Sequence, residues 1–95
     1  MPEMYFRIRW PDGATERCYS PSLVIKDHFE VGRRYSLDDF LDRSRIALRI
    51  ASDRVQAQYG APCSRALGQL ARIEKQGAQF ATIRDARVVI EAFEE

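Results

Sequence analysis

Histidine is all but missing from these 95 residues, with His28 alone, and cysteine occurs only as Cys18 and Cys63. Two thiols 45 positions apart and one imidazole match no zinc or redox spacing, so neither a metal site nor a cofactor is expected. Glycine is sparse too, and "EVGRR" holds a single one, which does not make a phosphate-cradling loop. No H-E-x-x-H, no G-x-S-x-G and no carboxylate pair in an apolar setting occurs, which removes common signatures of hydrolytic and acid–base catalysis. Long apolar runs are missing, and nothing approaches the roughly 20 residues of a membrane span. The start, "MPEMYFRIRW", has neither the basic flank nor the apolar core of a signal peptide. A cytoplasmic chain with reduced thiols and no membrane association is expected. Charge of one sign is also missing. Fifteen basic and fourteen acidic residues leave +1, so no electrostatic case exists for nucleic acid.

What is present is ordinary globular material, 45% hydrophobic and 31% charged, enough for one α+β domain over residues 1–95. Thirteen of the fifteen basic residues are Arg, with only Lys26 and Lys75 besides. Arg suits ion pairing and interfaces better than Lys, but a GC-rich genome produces the same bias and is the preferred explanation. In "YFRIRW", Phe6, Ile8 and Trp10 alternate with Tyr5, Arg7 and Arg9, the period of a half-buried strand. Pro11-Asp12-Gly13 follows as a turn, and a second strand over about Thr15–Tyr19 returns antiparallel. A third strand is expected near Arg87–Phe93, where "ARVVIEAF" is short and β-branched.

The helices announce themselves through caps and stripes. Ser36 is the expected N-cap of the long helix, Asp38 and Asp39 favour its positive end, and Tyr35 and Phe40 have staple spacing. Leu37, Phe40, Leu41, Ala47, Leu48, Ala51, Val55 and Tyr59 form one broad stripe that Gly60 ends. Ile46, Ile50 and Ala57 lie nearly opposite, flanked by Arg43 and Arg54, so a second surface must cover this face, supplied by the same chain or by another copy. Asp38, Asp42, Arg45, Arg49 and Asp53 pair along the remaining, solvated face. A second helix spans "APCSRALGQLARIEKQG", with Pro62 in its first turn, Gly77 at its end, and Cys63, Ala66, Leu67, Leu70 and Ile73 inward. The architecture expected is a small antiparallel sheet, the N-terminal hairpin plus a C-terminal strand, packed on two main helices.

One stretch, "CYSPS" (residues 18–22), carries a thiol, a phenol and two hydroxyls. Ser20 before Pro21 reads as a helix cap, which makes a short helix over 21–28 the preferred reading. A strand with Leu23, Ile25 and Phe29 on one side fits nearly as well. Cys63 in a first turn has the setting of a lowered thiol pKa, yet its place on the inner stripe favours burial. Convergence of Cys18, Cys63 and His28 into a nucleophile–base pair is the less favoured reading. Arg33 and Arg34, ahead of a helix, are read as solvated rather than as an anion site.

At "RWPDG", "CYSPSLVIKD", "IASDRVQAQYG" and "CSRALGQL" the chain resembles a family of small bacterial nitrogen starvation response proteins encoded in clusters with a nitrilase. The likeness runs essentially end to end. Family members often carry an aromatic residue where this chain has Ala61. The resemblance implies a context of nitrogen limitation and neighbours that include the nitrilase, a radical enzyme, an acetyltransferase and a flavoprotein. It supplies no catalytic residues. It does raise the standing of the two cysteine motifs, so that Tyr19, Ser20, Ser22, Ser64 and Arg65 become the candidate binding residues.

The function expected is therefore that of a non-catalytic accessory protein binding a partner enzyme or a pathway intermediate. The alternative is a small enzyme with Cys18 or Cys63 as nucleophile. Tyr5, Trp10, Tyr19 and Tyr35 supply interface-prone side chains. A homo-oligomer, most simply a dimer, is expected through Ile46, Ile50, Ala57, Arg43 and Arg54.

Overall fold

Alternation along the first strand sorts the sheet into two faces. The computed structural model describes residues 2–95. Strand β1 (Met4–Arg9) buries Met4, Phe6 and Ile8 and turns Arg7 and Arg9 to solvent. It pairs antiparallel with β2 (Thr15–Ser20), Phe6 opposite Cys18 and Tyr5 opposite Tyr19. The expected turn joins them: Gly13 takes φ 88°, a left-handed conformation that a side chain would strain. The Gly13 N–H donates to the Trp10 carbonyl at 2.9 Å, and the Asp12 carboxylate accepts from the Ala14 N–H at 3.0 Å.

The sheet has four strands where three were expected. Strand β3 (Arg34–Ser36) lies beyond β4 (Arg87–Glu94), giving the order β2-β1-β4-β3 with every neighbouring pair antiparallel. Three residues are too few to show a period of two, so "RYS" left no pattern to read. Tyr35 is thus a strand residue opposite Val88 as well as the residue before the Ser36 cap. Phe29 packs on it at 5.3 Å and on Phe40 at 5.5 Å between ring centroids, so a third ring is shared by the two staple positions. A bulge between Arg7 and Ile8 leaves Glu91 as the extra residue of β4, and Glu91 pairs with Arg9 at 2.7 Å.

Residues 21–28 do contain a short helix, α1 (Ile25–His28), but it starts later than Ser20-Pro21 implied. Ser20 closes β2 instead of capping a helix. Its hydroxyl donates to the Ser22 carbonyl at 2.7 Å and accepts from the Ser22 N–H at 3.2 Å. A serine turn of this kind competes with helix capping for the same oxygen.

Helix α2 (Leu37–Tyr59) starts and stops where its signals stand. Ser36 Oγ accepts from the Asp39 N–H at 3.3 Å, and Gly60 ends the helix at φ 85°. Helix α3 (Ser64–Ala78) returns beside it, with Arg45 of α2 bonded to Glu74 of α3 at 2.6 Å. Both helices cover one face of the sheet. Phe6, Ile8, Cys18, Val88 and Ile90 from the strands meet Phe40, Ala47, Leu48, Leu70 and Ile73 in one core. Burying a side chain such as Phe6 or Phe40 fully contributes about 2–3 kcal/mol.

Two inward assignments need correction, and so does the role expected of Gly77. Leu67 is 41% exposed and Tyr59 is 67% exposed: Leu67 falls outside the buried Ala66, Leu70 and Ile73 face of α3, and Tyr59 is the last residue of α2. Gly77 does not end α3 as a free cap. It is buried within the helix, where the Leu41 side chain of α2 leaves no room for a Cβ.

Candidate functional site

The helices occupy one face of the sheet, and the other is open. On the open face near the β1–β2 edge, four side chains form a stacked ladder. Arg17 lies 3.6 Å from the centroid of the Tyr5 ring, Tyr5 meets Tyr19 edge-on at 5.6 Å, and Arg65 lies 3.7 Å from the centroid of Tyr19. Local sequence explains the strand members. In a period-two strand, Tyr5 and Arg7 must share a face, and so must Arg17 and Tyr19. Cross-strand pairing then sets Tyr5 opposite Tyr19 and Arg7 opposite Arg17. Arg65 comes from the first turn of α3, which reaches the sheet edge because Gln69 Oε1 accepts the Tyr19 N–H at 2.9 Å.

Electrostatically the face is lean in carboxylate. One residue, Glu94, serves both Arg7 at 3.2 Å and Arg17 at 2.8 Å. Arg9 holds Glu91, and Glu3 stands 3.9 Å from Arg65. Four arginines thus face three glutamates. Each pair is solvent-exposed and contributes about 0–1 kcal/mol, so its members can exchange partners at little cost. Burial, with the Glu3 carboxylate next in weight, pushes the Tyr19 phenol up to about 12. It therefore stays a neutral hydroxyl at physiological pH.

The structure brings some of the sequence candidates together and separates others. Tyr19 and Arg65 are in contact, Ser64 is exposed beside them, and Cys63 is half-buried near Tyr19. Ser20 and Ser22 are buried beneath the surface. The Ser22 hydroxyl accepts from Arg54 at 2.9 Å and from the Val24 N–H at 3.3 Å, so it serves the turn. Cys18 is wholly buried on the core side. Burial pushes its thiol far above the ordinary range, with Glu16 adding to the effect and Arg72 opposing it. Both cysteines are free.

His28 lies elsewhere. Its carbonyl accepts from Arg43 at 2.8 Å, whereas the Cys63 N–H donates to Ser52 Oγ at 3.1 Å. Arg43 and Ser52 are separated by about 14 Å of helix axis at 1.5 Å per residue, so the imidazole and the Cys63 thiol do not form a pair. Trp10 and Tyr35 are also withdrawn from the surface, at 3% and 2% exposure. Trp10 stacks on Phe80 at 5.7 Å, and the Tyr35 hydroxyl accepts from the Glu30 N–H at 2.8 Å.

Sequence reading missed Arg7, Arg17 and Glu94 as members of a site. The signal was available in the alternation of "YFRIR" and "TERCY", which already assigns the outward residues. What alternation does not supply is the cross-strand register.

Among the described residues, no helix is long and apolar enough to cross a membrane. No group of three His, Cys, Asp or Glu side chains among them is placed to hold a metal ion. A one-layer antiparallel sheet, helical on one side and lined with arginine and tyrosine on the other, defines a small α+β domain with one open sheet face. The chain belongs to the family described as nitrogen starvation-induced protein NitG, which it matches over residues 5–93. No curated protein and no solved structure matches it.

Proposed function

We propose that this member of the nitrogen starvation-induced family is a binding module that docks an acidic surface of a partner protein onto the open face of its sheet. The Arg17–Tyr5–Tyr19–Arg65 ladder carries this reading. Aromatic and arginine side chains dominate binding energy at protein interfaces. Here they are prearranged by stacking, so less conformational entropy is lost on docking. Glu94, shared between two guanidiniums, leaves donors for a partner's carboxylates. Single-stranded nucleic acid is the less favoured occupant, since base stacking needs free aromatic planes and a guanidinium covers a face of each tyrosine.

The resemblance to a family encoded beside a nitrilase supplies the first partners to test. Association with each purified enzyme of that cluster is measured by interferometry for wild type, Tyr5→Ala and Arg65→Ala. One enzyme should bind, with affinity falling at least tenfold in both variants and falling again as salt rises. No association with any of these enzymes overturns the partner assignment. Undiminished binding by the folded variants overturns the face.

A further inference from the structure

At the opposite end of the open face from the tyrosine ladder, a groove of about 360 Å³ lies between the first turn, β3 and the segment entering β4. Four arginines line it: Arg9, Arg34, Arg84 and Arg87. Two are fixed in place by protein oxygens. Arg9 donates to Glu91 at 2.8 Å and to the Gly13 carbonyl at 3.1 Å, and Arg87 donates to Asp85 at 3.0 Å. Arg34 and Arg84 make no ion pair with any described residue. The groove therefore gathers four guanidiniums and neutralises two.

Two structural features maintain this arrangement. Asp85 adopts φ 56°, the one positive value outside glycine among the described residues, and from there it holds Arg87. The Ala86 carbonyl accepts the Leu37 N–H at 3.0 Å, which ties the segment to the start of α2. Apolar surface lies beside the charge: Ile83, 49% exposed, and Val89 share the lining with Pro11 and Trp10. Like charges gathered beside exposed hydrocarbon oppose folding unless something compensates them, and a groove of this volume is in the range that takes small molecules.

We infer that this groove binds a small organic anion, whose carboxylate or phosphate takes the Arg34 and Arg84 guanidiniums while its apolar body rests on Ile83 and Val89. Guanidinium forks match the planar geometry of such oxyanions. The site is separate from the tyrosine ladder and does not depend on protein docking there.

Trp10 is the single tryptophan of the chain and lines the groove, so its fluorescence reports occupancy. The protein is titrated with benzoate, phenyl phosphate and inorganic phosphate at constant ionic strength in chloride. Benzoate or phenyl phosphate should bind saturably and at least tenfold more tightly than inorganic phosphate. The double variant Arg34→Gln, Arg84→Gln should weaken that binding at least tenfold. Lys75→Gln, an exposed change on α3, should leave it unaltered. Should the double variant fail to fold, Arg84→Gln alone serves, because Arg84 makes no side-chain hydrogen bond or ion pair among the described residues. Inorganic phosphate binding as tightly as phenyl phosphate overturns the role of the apolar wall. No saturable binding, or binding indifferent to the arginine changes, overturns the site.

Discussion

A Cβ built on Gly77 of α3 would stand 2.9 Å from Cδ2 of Leu41 on α2. That close approach, rather than a need for unusual backbone angles, is why glycine occupies the position. Gly68, on the same helix, has nothing within 4 Å of such a Cβ. The two sites therefore separate propensity from packing. Gly68→Ala should stabilise the fold by about 0.5–1 kcal/mol. Gly77→Ala should lose that gain and cost up to about 1 kcal/mol, because Leu41 must leave its position. Urea unfolding of both variants measures the difference, and equal stabilisation by the two would show that Leu41 yields freely.

Thiol accessibility should divide the two cysteines. Cys63 is half-buried and Cys18 fully buried, so intact-mass analysis after alkylation should find one adduct on the native protein and two on the unfolded protein. Burial raises the Cys18 pKa above its unfolded value. Its contribution is therefore fully present below the ordinary thiol pKa of about 8.5. Above that pH the unfolded state ionises first, and stability falls by about 1.4 kcal/mol per unit. Cys18→Ala should flatten this decline between about pH 8.5 and 10 relative to wild type. Identical slopes would show that the thiol is solvated in the native state.

The outer side of α2 is only partly covered by the rest of the chain. Arg54 bonds to Ser22 Oγ and Arg43 to the His28 carbonyl, which brings the 20–28 segment against it. Ile50 is half-buried, but Ile46 remains 52% exposed and Ala57 is exposed. We propose that a second copy covers this strip, since Asp42, Arg49 and Asp53 are exposed on the same helix and offer both charges to an identical surface. Light scattering at tens of micromolar should give a dimer for wild type and a monomer for Ile46→Glu. A wild-type monomer would end the proposal.

Local rules were enough for much of this protein. Alternation in "YFRIRW", the Pro11-Asp12-Gly13 turn, the Ser36 cap and the Gly60 stop each depend on a few consecutive residues, and each element stands where those residues place it. The family was legible for the same reason, being carried by contiguous motifs. Positions set by distant partners were not legible. Strand β3 exists because Tyr35 finds Val88, 53 positions away in sequence. Ser20 is a turn residue because Ser22 and Arg54 take up the hydroxyls that looked like chemistry. Arg34 read as solvated, and only the folding of β3 against β4 sets it in one groove with Arg9, Arg84 and Arg87. Arg65 reaches Tyr19 because α3 docks on β2. Side-chain period and capping act within a few residues of the chain, whereas a recognition face is made of residues that meet only when separate elements pack. The sequence alone determined which residues of the β1–β2 hairpin point outward, and the tertiary structure decided which of them are neighbours.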